Sequence, residues 1–338
     1  MIQDYLLSTF WENSWARPFY PILQYIYTKV NPTIRSIFHS RVQVKAEPIY
    51  ILLSSTYCNA KCIFCPYRFG THKFDMMSID TFNKALEQLK EVKTTNICLS
   101  PTVGEALLNP NIFYFIEELK KNGMLSYIYS NGVALLTNNN YKKLVDTGIN
   151  EIHISLSDLN PQLESQVYGI TLKQATDKID GILKLIDYND KVKKVNTIRL
   201  EFRSQRNPCD VLNEPIFEYI KGKCQYVFAL GYDNWGGTIS QDDLLGSMKM
   251  TTSIDKINVP CDKLKNTSIL PDGTVRLCGC RFKKTLNDDL VIGNIHNNTL
   301  KELSKSKQYK AIFKRFENGE YPEVCKQCSF YQPDSKGL

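Results

Sequence analysis

The chain has 338 residues, 43% of them apolar, and a net charge of +7 from 42 basic and 35 acidic side chains. That is enough apolar content for a packed core and suggests a larger and a smaller domain, while the scattered basic residues, without a dense Lys/Arg tract or an RNA-binding signature, exclude nucleic acid as the expected partner. No apolar run approaches a membrane span, no basic stretch leads an apolar core at the N-terminus, and eleven cysteines, mostly clustered at 58–65, 261–280 and 325–328, do not suit a secreted disulfide scaffold. The expectation is a cytoplasmic protein whose thiols serve metal or redox chemistry.

Residues 1–47 form a first segment, rich in aromatics (Phe10, Trp11, Trp15, Phe19, Tyr20) and in Arg and Lys. Pro18, Pro21 and Pro32 limit it to short helices. It reads as a helical extension packed on the next domain, and its aromatic and basic composition also suits weak contact with a membrane surface. From residue 48 strand and helix patterns alternate. β-rich runs at 49–55, 95–100, 125–130, 150–157, 195–203 and 226–231 enclose helix-period segments at 78–92, 110–121, 137–146, 172–188 and 211–221. Ser78 is placed to cap the first helix, with Asp80 in its first turn, and Gly148 to end the third. Six strands with right-handed helical crossovers predict an α/β fold, a parallel sheet curled into a partial (β/α)6 barrel with its chemistry at the strand C-terminal ends. After about residue 235 the chain becomes turn-rich. Ser268–Leu277 predicts a hairpin turning at Pro271-Asp272-Gly273, and 299–317 a last helix. The domains expected are therefore 1–47, 48–235 and 236–338.

Directly after the first strand stand Cys58, Cys62 and Cys65, spaced C-x3-C-x2-C. A [4Fe–4S] cluster takes one thiolate per iron, so three close cysteines leave one iron open to another ligand. Zinc prefers four ligands in paired sets, and no histidine is spaced to complete one here. The motif, Phe64 before its last cysteine and the preceding strand resemble the radical S-adenosylmethionine (SAM) superfamily. The resemblance implies that the open iron takes SAM's methionine group. Reductive cleavage would then give a 5′-deoxyadenosyl radical that abstracts hydrogen from a substrate, the electron arriving from a flavodoxin- or ferredoxin-type donor.

The same resemblance assigns SAM contacts. Val103-Gly104-Glu105-Ala106 is similar to the family's G-G-E-P loop but departs from it at Val103 and Ala106. Ser130-Asn131-Gly132 stands for T-N-G, and Ser155-Leu156-Ser157-Asp158 resembles an S-L-D segment. Tyr168-Gly169 stands where relatives often carry R-G. Phe64, Gly104, Glu105, Ser130, Asn131 and Ser155 are the cofactor-binding candidates the resemblance implies, and Arg199 joins them on strand alternation alone. Strand alternation adds an independent reading: Arg199, Glu201 and Arg203 share one face, as do His153, Ser155 and Ser157. Helices must cover the apolar face, so these polar side chains point into the barrel. There they either bind a polar ligand or form a structural ion network. Glu201 or His153 is the candidate catalytic base.

Cys261, Cys278, Cys325 and Cys328, with Gly273 before Cys278, are similar to the SPASM/twitch domains that follow many radical SAM cores. No cysteine follows Cys328, so four ligands serve one second [4Fe–4S] cluster, and the shorter twitch form matches better. Zinc is the rival, Cys280 is a spare, and Cys98, Cys209 and Cys224 read as core thiols. Among twitch-bearing relatives the intervals look most like an aminocyclitol dehydrogenase, and less like a molybdopterin-precursor cyclase. The resemblance therefore implies oxidation of a small polar carbinol, with the auxiliary cluster accepting an electron. Maturation of a ribosomally made peptide by crosslinking or epimerisation, redox-neutral sugar chemistry, and an electron carrier without substrate chemistry are the competing readings.

Overall fold

The computed structural model describes residues 49–69, 75–99, 103–251, 255–279 and 288–334, together with Phe19 and Ile22. The rest of the 1–47 extension and the spare Cys280 lie outside the described residues. Phe19 and Ile22 are both exposed.

Strands β1 (Tyr50–Leu52), β2 (Asn96–Leu99), β3 (Leu125–Ser130), β4 (Glu151–Leu156), β5 (Thr197–Phe202) and β6 (Gln225–Phe228) lie side by side in sequence order, every neighbouring pair parallel. Helices α1 (Ile79–Glu91), α2 (Ile112–Lys121), α3 (Asn140–Asp146), α4 (Pro161–Tyr168), α5 (Leu172–Val192), α6 (Pro208–Leu212) and α7 (Pro215–Ile220) fill the crossovers. β1 and β6 are not paired, so the barrel is open as expected. The outward strand residues, Ile152, Ile154, Leu156, Ile198, Leu200 and Phe202, are buried against the helices in one continuous core.

Local chemistry accounts for the helix ends. The Ser78 hydroxyl accepts the Thr81 amide, Thr171 and Gln174 form a capping box ahead of α5, and Gly148 follows α3 with φ +63°. The helix expected over 211–221 is two short ones. Pro215 has no amide hydrogen to continue α6, and it starts α7 instead. Among the described residues no helix is long and apolar enough to cross a membrane.

The C-terminal part is joined to the barrel. β7 (Thr267–Ile269) pairs parallel with β1, then antiparallel with β8 (Thr274–Leu277), which pairs antiparallel with β9 (Val291–Asn294). The hairpin turns where expected, with Gly273 at φ +80°. β9 extends it beyond the sequence expectation. The single last helix is instead α8 (Leu300–Leu303) and α9 (Lys307–Glu317), because the Ser306 hydroxyl caps a new start. A further short helix, α10 (Glu323–Lys326), carries Cys325.

Candidate functional site: two thiol clusters joined by a strut

The first cysteine loop leaves the sheet at the C-terminal end of β1, the end at which a parallel sheet presents its chemistry. It hangs on the end of α4: Lys61 and Ile63 donate their amides to the carbonyls of Tyr168 and Val167, at 2.9 and 3.0 Å. Gly169 makes that approach possible, since a Cβ there would stand 2.6 Å from the Lys61 carbonyl. Tyr67 closes the loop from the other side, its hydroxyl accepting the Cys58 amide at 2.9 Å and donating to the Cys58 carbonyl at 3.2 Å. The thiols of Cys58, Cys62 and Cys65 interact electrostatically. Burial raises all three, Cys58 to about 12 and Cys65 to about 11, with Glu105 adding to Cys58. A thiolate is stabilised there by a bound cation, which supplies the charge that burial opposes.

Gly104 packs on this loop at φ +121°, where a Cβ would lie 2.4 Å from the Ser55 carbonyl oxygen. Glu105 donates its amide to Tyr57 at 2.6 Å. Its buried carboxylate accepts the Leu107 amide (3.0 Å), the Ser130 hydroxyl (2.7 Å) and the Asn131 amide (2.7 Å). Glu105 thus ties the end of β3, through its side chain, to the start of the cysteine loop, through its backbone amide. The Asn131 side-chain Nδ2 lies 3.5 Å from the Cys58 sulfur and donates to Asn59 Oδ1 at 2.9 Å.

Inside the barrel, β4 and β5 place His153 beside Arg199 and Ser155 beside Glu201. His153 is buried between two carboxylates, Nδ1 3.1 Å from Glu201 and Nε2 2.9 Å from Glu151, with the Tyr129 ring 4.5 Å away. Burial acts to lower the imidazole pKa, but the two carboxylates outweigh it, so the net shift is upward and both glutamates are shifted down.

Arg199 does not reach the cysteine end. It sits in mid-strand and donates to Gln225. Arg203, just past β5, does reach it, donating to Ser155 Oγ at 2.9 Å and lying 5.5 Å from the centre of the Phe64 ring. Tyr168 meets the same Ser155 hydroxyl at 2.5 Å and packs edge-on against Phe64. Arg203 and Tyr168 were therefore missing from the candidate set. The alternation of charge along 199–203 was the signal for Arg203, and the Tyr168-Gly169 pair, standing where relatives often carry R-G, was the signal for Tyr168. Ser157 and Asp158 are held by Glu164 and Arg206, and Glu164 pairs with the fully buried Lys178.

Cys261, Cys278, Cys325 and Cys328 line one cavity of about 320 Å³, open mouth included, with Leu264, Phe316 and Tyr331 among its walls. Cys278 directly follows β8 at φ +64°, a conformation rare for a side-chain-bearing residue and a mark of local constraint. The Gln332 and Phe330 amides point at the sulfurs of Cys261 and Cys328, at 3.4 and 3.3 Å. Burial pushes Cys261 up to about 12, with Cys278 adding to it. Among the described residues no three His, Cys, Asp or Glu side chains stand close enough together, as placed, to hold a metal ion. Four thiols around a shared space fit a polynuclear group, in which each sulfur meets its own metal.

A strut over 233–237 connects the two sites. The Trp235 indole donates to the Phe64 carbonyl at 2.9 Å. Next to it, Asn234 donates to the Gln327 carbonyl at 2.6 Å and accepts the Ser329 amide at 3.1 Å. Trp235 has φ +50°, and Gly236 follows so tightly that a Cβ would stand 2.8 Å from the Val324 carbonyl. No sequence motif announced this connection.

Residues 52–197 match the Radical SAM superfamily, and 261–329 match the SPASM iron–sulfur cluster-binding domain. The chain is 23% identical over 214 residues to the FeMo cofactor biosynthesis protein NifB of Methanocaldococcus jannaschii, covering 55% of this chain and 68% of that one. It is 26% identical over 144 residues to a tungsten-containing aldehyde ferredoxin oxidoreductase cofactor-modifying protein of Pyrococcus furiosus, covering 43% of this chain and 39% of that one. Among solved structures, BtrN in complex with AdoMet and 2-DOIA superposes with a TM-score of 0.54 at 17% identity, over 85% of this chain and 94% of BtrN. The AdoMet-bound anSMEcpe structure superposes with a TM-score of 0.53 at 16% identity, over 80% of this chain and 81% of that one. At these identities the likeness is one of fold.

Proposed function

We propose that this chain, whose residues 52–197 match the Radical SAM superfamily and 261–329 the SPASM iron–sulfur domain, oxidises a carbinol carbon of a sugar or aminocyclitol. Cys58, Cys62 and Cys65 would hold the SAM-binding [4Fe–4S] cluster, and Cys261, Cys278, Cys325 and Cys328 the auxiliary one. When bound, these groups supply a 5′-deoxyadenosyl radical for hydrogen abstraction and an acceptor for the electron left on the substrate. The protein's own side chains do the rest. Glu105 and Asn131 orient the cysteine loop. Arg203, with Ser155 and Tyr168, offers SAM's carboxylate a cation and two hydroxyls at the mouth of the barrel. Glu201, kept ionised by His153 and Arg203, would take the hydroxyl proton.

The observation that carries this reading is the full set of four thiols in the second cavity, joined by the strut to the first loop. With every ligand position taken by sulfur, the second site suits electron transfer better than substrate binding. An aminocyclitol substrate is suggested by the BtrN likeness, 2-DOIA being bound in that structure. Peptide maturation is the second reading, because an anSMEcpe structure with a bound peptide has a comparable TM-score of 0.50.

Electron counting separates oxidation from redox-neutral chemistry. In dehydrogenation the last substrate electron returns through the auxiliary site to the first cluster, so one SAM is used per product without net external reductant. With aminocyclitols, sugars and short peptides offered in turn, substoichiometric reductant should support several turnovers on the true substrate. Turnover that tracks reductant one for one would replace this reading with redox-neutral chemistry.

A further inference from the structure

Lys256 belongs to no motif in the sequence, yet it stands at the second cavity. Its ammonium donates to the carbonyl of Lys326 at 2.7 Å, inside the loop that carries Cys325 and Cys328. It lies 5.8 Å from the ring centre of Tyr331, a wall of the cavity, and 5.9 Å from that of Tyr321. It is half-buried and within electrostatic reach of Cys328, Cys325 and Cys261. Lys263 is among the lining residues, its ammonium 5.6 Å from the ring centre of Phe330, another wall, whereas no carboxylate-bearing residue lines the cavity. The neighbouring carboxylate, Asp255, is exposed.

A [4Fe–4S] cluster on four thiolates is an anion, and each electron it accepts makes it more negative. A cation held nearby in a partly buried setting stabilises the reduced form more than the oxidised one, which raises the reduction potential. The hydrogen bond to the Lys326 carbonyl fixes that cation against the ligand loop instead of leaving it in solvent. We infer that Lys256 sets the redox poise of the auxiliary site, making it a better acceptor for the single electron left on the oxidised substrate. No bond is made or broken in that step and no proton moves. The inference rests on the reading of the four-thiol cavity as a cluster site.

The test uses the full chain with Cys58, Cys62 and Cys65 changed to alanine, so that only the second site can hold a cluster. After anaerobic reconstitution with iron and sulfide, the midpoint potential is read by EPR-monitored redox titration in this parent and in Lys256→Met, Lys256→Gln and Lys256→Arg. Met and Gln should move the potential lower, and Arg should keep it close to the parent. If Met loses the cluster, the Gln and Arg variants decide. An unmoved potential, or a parent-like potential in Lys256→Gln, which keeps a donor without the charge, overturns the role of the charge alone. A parent that binds no iron, or binds zinc, overturns the cluster reading and this inference together.

Discussion

Gly104 and His153 show how single positions hold the site together. The resemblance picked out Gly104 as part of a cofactor loop, and the geometry adds a steric reason for glycine: φ +121° and a carbonyl oxygen 2.4 Å from any Cβ. Gly104→Ala should cost about 1–3 kcal/mol for the backbone conformation, with the steric clash in addition. Urea unfolding of the full chain reads this, and a change within error would remove Gly104 from the structural argument. His153 was legible as a barrel-interior residue from strand alternation. Its partner Glu151, two residues away on the same face, was not singled out. The raised pKa of His153 gives stability that is present in full below about pH 6.5 and lost as pH rises through the raised value. The lowered Glu151 and Glu201 contribute above about pH 4.3 and lose that contribution on acidification through their folded values. The cluster therefore stabilises most between those limits. His153→Gln should destabilise by about 1.5–3 kcal/mol near pH 6, and the gap to the parent should narrow toward pH 9. A gap that is constant with pH would mean the imidazole is not charged in the folded protein.

At the scale of elements, the long periodic ones were readable, and capping chemistry set their ends. The short ones escaped: α4 has eight residues and β9 four, too few for periodicity to stand out. Yet α4 is what the first cysteine loop hangs on. The 233–237 strut has no regular structure, and its role comes from contacts far apart in sequence, which no local pattern encodes. Asn234 is its anchor on the second site, through Gln327 and Ser329. Asn234→Ala should leave the first cluster in place and loosen the turn that carries Cys325 and Cys328. In reconstituted protein challenged with an iron chelator, roughly four of about eight irons should leave faster than in the parent. Equal loss of all iron would show that the strut supports the whole chain and not the second site.

On the scale of the whole molecule, alternating strand and helix patterns were enough to predict the open parallel barrel. Cysteine spacing was enough to find both thiol clusters, since those spacings are chemical constraints written locally. How the parts join was not legible. The pairing of β7 with β1 makes one nine-stranded sheet of the barrel and the C-terminal hairpin, so the second site is attached to the strand that leads into the first. Such an edge pairing depends on backbone geometry that either strand offers to many partners. The consequence is a fixed relation between two thiol sites, to which the proposed function gives separate roles, one in cleaving SAM and one in taking an electron. Release of 5′-deoxyadenosine from SAM by the anaerobically reconstituted, reduced full chain, without substrate, tests that division most directly. The account predicts release by the parent and by Cys328→Ala, and none by Cys62→Ala. Continued release by Cys62→Ala would contradict it.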